Sequence, residues 1–157
     1  KLKTFHLGGD NGIFEISGSK TTPKKTLIKY GEGKFPYITT QTENNGVEAF
    51  FNFFTESGNV LCVDSAVVGF CSYQEENFSA SDHVEILRPK KFELNKYLGI
   101  YFSSMLNADT FRYNYGRKRS QARLSSSVIN LPVDDNDNID LGWIENFIKS
   151  LNYSNNI

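Results

Sequence analysis

"DHVEILRPKKFELNKYLGIYFSSML", residues 82–106, changes its period halfway along. Its first part, "DHVEILRP" (82–89), reads as a strand. From Asn95 to about Tyr113 the apolar residues Leu98, Tyr101, Phe102, Met105, Leu106 and Phe111 follow helical spacing, and Asn95 stands where an N-cap belongs. Upstream of the switch the segments are all β-like: "GIFEIS" (12–17), "KFPYITTQ" (34–41), "VEAFFNFF" (47–54), "VLCVDS" (60–65) and "VVGFCSYQ" (67–74). Pro36, which offers no N–H to a ladder, places the start of the second of these at an edge. A polar, basic loop, "GSKTTPKKT" (18–26), and turns at "TENNG" (42–46) and "ESGN" (56–59) separate them. Downstream, "SVINLPV" (127–133) reads as a strand and "DDNDN" (134–138) as a loop. Asp140 then caps a last helix with Ile144, Phe147, Ile148 and Leu151 on one face and Trp143 at its flank. This order predicts an α+β fold, a mostly antiparallel twisted sheet with helices late in the chain, built as a single domain. Phe14, Phe51, Phe53, Val63, Val68, Phe70, Ile86, Leu98, Phe102 and Leu131 are expected in its core.

A chain of 157 residues is one domain's worth and can bury a sizeable core. With 13 Phe, 8 Tyr and ordinary charge content, global disorder is excluded. No apolar run approaches the ~18–20 residues of a membrane span. The start, "KLKTFHLGGD", has no signal-peptide core and no initiator Met, so the chain is expected to be a piece of a longer protein. Cys62 and Cys71 sit in apolar surroundings and are expected as buried free thiols, which suits a reducing cytoplasm.

The net charge of −1 hides strong segregation. Residues 1–34 hold seven Lys against three acids, and residues 35–87 hold eight acids and no Lys or Arg. Residues 88–124 hold nine basic residues against two acids, and residues 125–157 one Lys against five acids. If the fold brings the two basic blocks together, a positive face results on a protein of near-neutral balance.

Catalytic patterns fail one by one. There is no N-P-P-Y methylase motif, and "GIFEISGSKT" lacks the adjacent Gly-Lys of a phosphate loop. His6 and His83 with two Cys lack zinc-site spacing, and Ser125–Ser127 have no nearby His in sequence. Asp10 with Glu32 and Lys34 formally matches the D…ExK metal site of nucleases. That site needs carboxylates fixed on rigid strands, and both acids here lie in Gly-rich turns. A Mg²⁺-dependent nuclease therefore stands as an alternative reading. A β-rich glycan or peptide binder is another, although most Phe sit in core-like runs such as "AFFNFF". No cofactor or metal site is expected.

Two segments carry a functional signal. "FRYNYGRKRSQAR" (111–123) interleaves Arg112, Arg117, Lys118, Arg119 and Arg123 with Tyr115, Gly116 and Gln121. Cationic groups take phosphates, Arg and Gln also read base edges, and Gly lets backbone approach closely. "ITTQTENNG" (38–46) supplies Thr39, Thr40, Gln41, Asn44 and Asn45, the neutral groups that base readout uses.

"GKFPYITTQTENNGVEAF", "ESGNVLCVDSAVVGFCSYQEENFSASDHVEIL", "LNKYLGIYFSSML", "FRYNYGRKRSQARLSSSVINLPV" and "IDLGWIENFIKSL" follow one another in an order that resembles the target-recognition domain of type I restriction–modification specificity (S) subunits, and of the similar S proteins of type IIB/IIG systems. The likeness spans nearly the whole chain, more loosely over "KLKTFHLGGDNGIFEISGSK". It implies a non-catalytic cytoplasmic domain that reads one half of a split double-stranded DNA sequence. A methyltransferase subunit or fused methylase domain then modifies the DNA, and a restriction (nuclease) subunit cuts it. It places DNA contacts in the 112–123 stretch, the Thr39–Asn45 loop and the 18–26 loop with Lys20, Lys24 and Lys25. It also implies a recognition domain over 1–139 and, over 140–157, the start of a spacer helix. Trp143 and Phe147 on that helix are the expected partner contacts, unless the helix packs wholly on its own domain. The chain then corresponds to half of a two-domain S subunit, a half-length S protein, or the end of a fused methylase polypeptide.

Overall fold

The computed structural model describes residues 1–114 and 116–151. Its strands are β1 (Leu2–His6), β2 (Phe14–Gly18), β3 (Phe35–Ile38), β4 (Val47–Phe51), β5 (Val60–Asp64), β6 (Cys71–Gln74), β7 (Ser79–Ala80), β8 (Val84–Pro89) and β9 (Val128–Pro132). Its helices are α1 (Lys24–Ile28), α2 (Lys96–Asn107), α3 (Gln121–Ser126) and α4 (Leu141–Lys149). The strands form three sheets where the sequence suggested one: β1–β9, β2–β8–β5–β6 and β4–β3–β7. All pairings between these strands are antiparallel except β3–β7.

The four-stranded sheet is the frame. β5 is buried along its whole length, so up to its closing Asp64 both its faces must be apolar, and they are. Leu61 and Val63 face a cluster with Phe14, Leu87 and the α2 residues Leu98 and Phe102. Val60 and Cys62, one residue out of phase, face Ile38 and Ala80 of the three-stranded sheet and Phe78 just before β7. α1 covers the far side of that sheet through Leu27 on Tyr37 and Phe51. Asn95 caps α2 as expected, its side chain accepting from the N–H groups of Tyr97 and Leu98. Gly99 lets the helix lie on Tyr73, whose ring would be 2.3 Å from any Cβ there. α4 begins at its Asp140 cap and drives Ile144 into the main cluster.

Of the ten expected core residues, seven are buried; Phe53, Val68 and Phe70 are half-buried. Val68 and Phe70 lie in the β5–β6 turn rather than in a strand, and Phe53 lies past β4, stacked on Tyr30 at 4.1 Å. β3 is central in its sheet rather than at an edge. Its pairing with β7 begins only at Tyr37, so Pro36 faces an open stretch. The helical run expected to reach Tyr113 stops at Asn107, whose side-chain amide bonds both the N–H and the C=O of Cys71. Both cysteines are free and buried, and burial pushes the Cys71 thiol up to about 12.

Candidate nucleic-acid interface

The strand registers place four chain ends together. Gly18 pairs with Glu85, Asp64 with Val84, and Val63 with Cys71. The end of β2, the start of β8 and the β5–β6 turn therefore share one end of the frame. The C-terminus of α2 joins them through Asn107 and Cys71. The basic stretch closes over this end, since Gln121 donates to the carbonyl of Ile16 in β2 at 3.0 Å.

One of the basic residues is spent on building it. Arg119 is 1% exposed, and its Nη1 donates to the carbonyls of Gly69 (3.0 Å) and Leu106 (2.9 Å). Its guanidinium lies 4.8 Å from the ring centroid of Tyr113. Leu106 is in the last turn of α2, so the cation sits at the negative end of a helix dipole. This corrects the sequence reading: Arg119 ties the basic stretch to the sheet and is not a surface contact. From the other side, the buried carboxylate of Asp64 accepts from the N–H groups of Ala66, Val67, Val68 and Gly69. The β5–β6 turn is thus clamped between Asp64 and Arg119. The sequence reading missed Asp64, although an Asp followed by small residues and a Gly is the signal of such a turn.

Around this clamp the remaining cations face out. Arg112, Arg117, Lys118 and Arg123 are exposed. The Asn114 side chain accepts from the N–H groups of Gly116 and Arg117, which fixes the tip of the segment. Arg123 reaches back to the carbonyl of Lys118 at 2.6 Å, and Arg112 pairs with Asp109 at 3.5 Å. Tyr115 lies outside the described residues. Lys20 is four residues beyond Ile16, at most about 13 Å along the chain from the Gln121 contact. Lys24 and Lys25 are elsewhere: α1 sits on the β3–β4 pair, where Lys24 pairs with Glu48 at 3.0 Å. The two basic blocks also touch at the other end of the frame, where Lys90 donates to the carbonyl of Gly9 and Arg88 pairs with Glu15 in the β2–β8 ladder.

The Thr39–Asn45 loop leaves β3 where Ser81 donates to the carbonyl of Ile38, two residues before His83 at the same end. Its asparagines adopt left-handed backbone, φ 51° at Asn44 and 55° at Asn45, which Asn tolerates better than most residues. Two of its expected readers are engaged within the fold. Gln41 Nε2 donates to the carbonyls of Glu43 and Val47, and Asn45 Nδ2 to that of Tyr73. Asn44 is exposed, and Thr39 and Thr40 are half-buried.

At the opposite flank Ile144 and Ile148 of α4 are buried, whereas Trp143 (49%) and Phe147 (42%) are exposed and stacked 5.2 Å apart. Residues 143 and 147 are one turn apart and form their own ridge beside the buried pair. Residues 152–157, the rest of the expected spacer, lie outside the described residues. Asp10 and Glu32 lie in exposed turns on different parts of the fold, the first between β1 and β2 and the second after α1. Among the described residues no group of three or more His, Cys, Asp or Glu is placed to hold a metal ion. Nor is any helix among them long and apolar enough to cross a membrane.

The fold is that of restriction–modification specificity subunits. It superposes on the S subunit of a type I restriction–modification system from M. genitalium with a TM-score of 0.62, over 95% of this chain and 38% of that one, at 15% identity. A second structure, from work on assembly and conformational transition of the type I system, gives 0.60 over 93% and 38%, at 11% identity. The sequence narrows the class: the model of the type I restriction modification DNA specificity domain family matches residues 3–157, and the chain belongs to that family. It is 28% identical over 142 residues to the S.BcgI specificity subunit of a type II restriction enzyme from Heyndrickxia coagulans, covering 87% of this chain and 41% of that protein. It is also 28% identical over 132 residues to a Mycoplasma pneumoniae protein assigned as a type I specificity subunit, covering 82% and 35%. The chain thus spans about two fifths of the length of these relatives.

Proposed function

We propose that this chain is a non-catalytic target-recognition domain that reads one half of a split duplex DNA sequence in the cytoplasm and directs a methyltransferase, and with it a nuclease, to that site. Membership in a DNA specificity family supports the reading. The observation that carries it is the clamped end of the frame, where Arg112, Arg117, Lys118 and Arg123 stand exposed around Gln121; the Thr39–Asn45 loop starts from this end and runs along β6 to its contacts with Tyr73 and Gln74. Cations in such a place position the duplex by its phosphates, and the neutral groups read base edges. The engaged amides of Gln41 and Asn45 shape the reading loop, which leaves Thr39, Thr40 and Asn44 as its contacts. Residues 1–139 form the reader, and 140–157 begin the connection to the rest of the protein. The Trp143–Phe147 ridge is the contact for a neighbouring helix or the methyltransferase. One half-site gives limited affinity, and linkage to a second reader raises it through effective concentration.

Titrating labelled duplex at several salt concentrations tests the reading. Arg117→Ala and Lys118→Ala should weaken binding to all sequences alike and each lower the slope of log K against log salt by about 0.9. Thr39→Ala or Asn44→Ala should instead change the preferred sequence, by about 1–3 kcal/mol per lost base contact. Salt-independent binding, or one sequence profile shared by every variant, contradicts the proposal.

A further inference from the structure

We infer that Phe111 is an aromatic wedge that stacks on the bases at a deformed step of the bound duplex, an inference that rests on the DNA-recognition reading above. Phe111 is 78% exposed, the most exposed large apolar side chain among the described residues. It is held out by a built post rather than a loose loop. Residues Thr110–Arg112 form a 3₁₀ turn, closed by Arg112 N–H to Asp109 C=O (3.1 Å) and Tyr113 N–H to Thr110 C=O (3.0 Å). Below it the Thr110 hydroxyl donates to the carbonyl of Asn107, and the Asn107 amide is locked onto Cys71 of the sheet. Above it Tyr113 lies under the buried Arg119 guanidinium. Both ends of the post are thereby anchored in the core, and the ring at its tip touches little of it.

The surroundings select the occupant. The Arg112 guanidinium lies 5.7 Å from the Phe111 ring centroid, and Arg117, Lys118 and Arg123 are exposed on the same segment, with Asp109 its one acid. A protein hot spot needs apolar company around its anchor, as Trp143 and Phe147 give each other on α4. The chain neighbours of Phe111 are Thr110 and Arg112. A lone apolar ring in a field of cations matches duplex DNA, where Phe is among the side chains that part a base step while flanking cations hold the phosphates.

The test uses the chain itself and duplexes it recovers from a randomised library, each carrying a fluorescent adenine analogue whose emission rises on unstacking. The wild-type chain should raise the emission at one position. Phe111→Ala should abolish the rise and weaken binding about 5- to 150-fold, the range for losing one base stack. Its salt slope should be unchanged, unlike that of Arg117→Ala, and Phe111→Trp should restore the signal. An emission rise that persists in Phe111→Ala at unchanged affinity overturns the wedge. So does a Phe111→Ala variant that keeps the rise but loses assembly with the methyltransferase subunit. If Arg117→Ala still weakens binding in either case, the recognition reading stands without the wedge. A wild-type chain that recovers no duplex overturns both.

Discussion

Replacing Arg119 by alanine separates the structural account from the plain reading of a basic run. If Arg119 met phosphate like its neighbours, the variant would fold as the wild type does and lose one phosphate contact from its salt slope. The structure requires another result. Arg119 Nη1 makes two hydrogen bonds to backbone carbonyls in a site that is 1% exposed. Bonds to a charged group contribute about 1.5–3 kcal/mol each, and the alanine variant removes both, although the Leu106 carbonyl still accepts from the Asp109 N–H at 3.3 Å. The stem is packed as well: a Cβ at Gly69 would meet Arg119 Cδ at 2.7 Å, so truncation opens a void. A loss of about 3–5 kcal/mol follows, a large share of the ~5–15 kcal/mol typical of a domain. At this chain length that is a fall of about 10 °C in melting temperature. Arg119→Lys should recover only part of it, because the compact, strongly hydrated ammonium lacks the planar face that the guanidinium sets against the Tyr113 ring. Urea denaturation followed by far-UV circular dichroism measures the difference. An Arg119→Ala variant with the wild-type midpoint and a salt slope lower by about 0.9 would refute the reasoning.

Burial holds the Cys71 thiol neutral, pushed up from 9.0 to about 12, and raises Cys62 by the same cause. In the unfolded chain these thiols ionise near the lower value while the folded ones stay protonated, so stability is intact at neutral pH and falls as pH rises from 9 toward 12. Tyr73, raised from 10.0 to about 12 by burial and then by Glu75 and Glu76, works in the same direction. Denaturation midpoints across that range check this, and a midpoint that climbs with alkali contradicts it. On α4, changing Trp143 and Phe147 together to alanine should reduce complex formation with the methyltransferase more than half-site binding by the isolated chain. Unchanged assembly in a pull-down would remove the proposed contact.

The frame was legible because its strands are buried on defined faces. The continuous apolar run Val60–Val63, buried on both faces, and the helical spacing of Leu98, Phe102 and Leu106 each record their packing partners. β1 left no such record: it is mostly exposed and gains its ladder from β9, 126 residues away at Thr4 and Asn130. α1 is a five-residue helix behind Pro23, too short to show a period inside a polar loop. The basic stretch was legible as a unit but not residue by residue. Nothing within "RKR" says that the third cation turns inward, because its partners are carbonyls of Gly69 and Leu106, set by the β5–β6 turn and the end of α2. The same holds for Gln41 and Asn45, whose amides answer carbonyls that only the folded loop presents. The separation of Lys24 and Lys25 from Lys20 follows from Leu27 anchoring α1 on the β3–β4 pair.

Sequence selectivity itself is the central claim, and selection from a fully randomised duplex pool tests it most directly. The isolated chain, at high concentration to offset a half-site's weak binding, is bound to the pool, and the retained duplexes are sequenced over several rounds. The account predicts enrichment of one short contiguous motif, retained but bound more weakly by Arg117→Ala, and altered by Asn44→Ala. A retained pool with the composition of the input, at salt where binding is measurable, would contradict it.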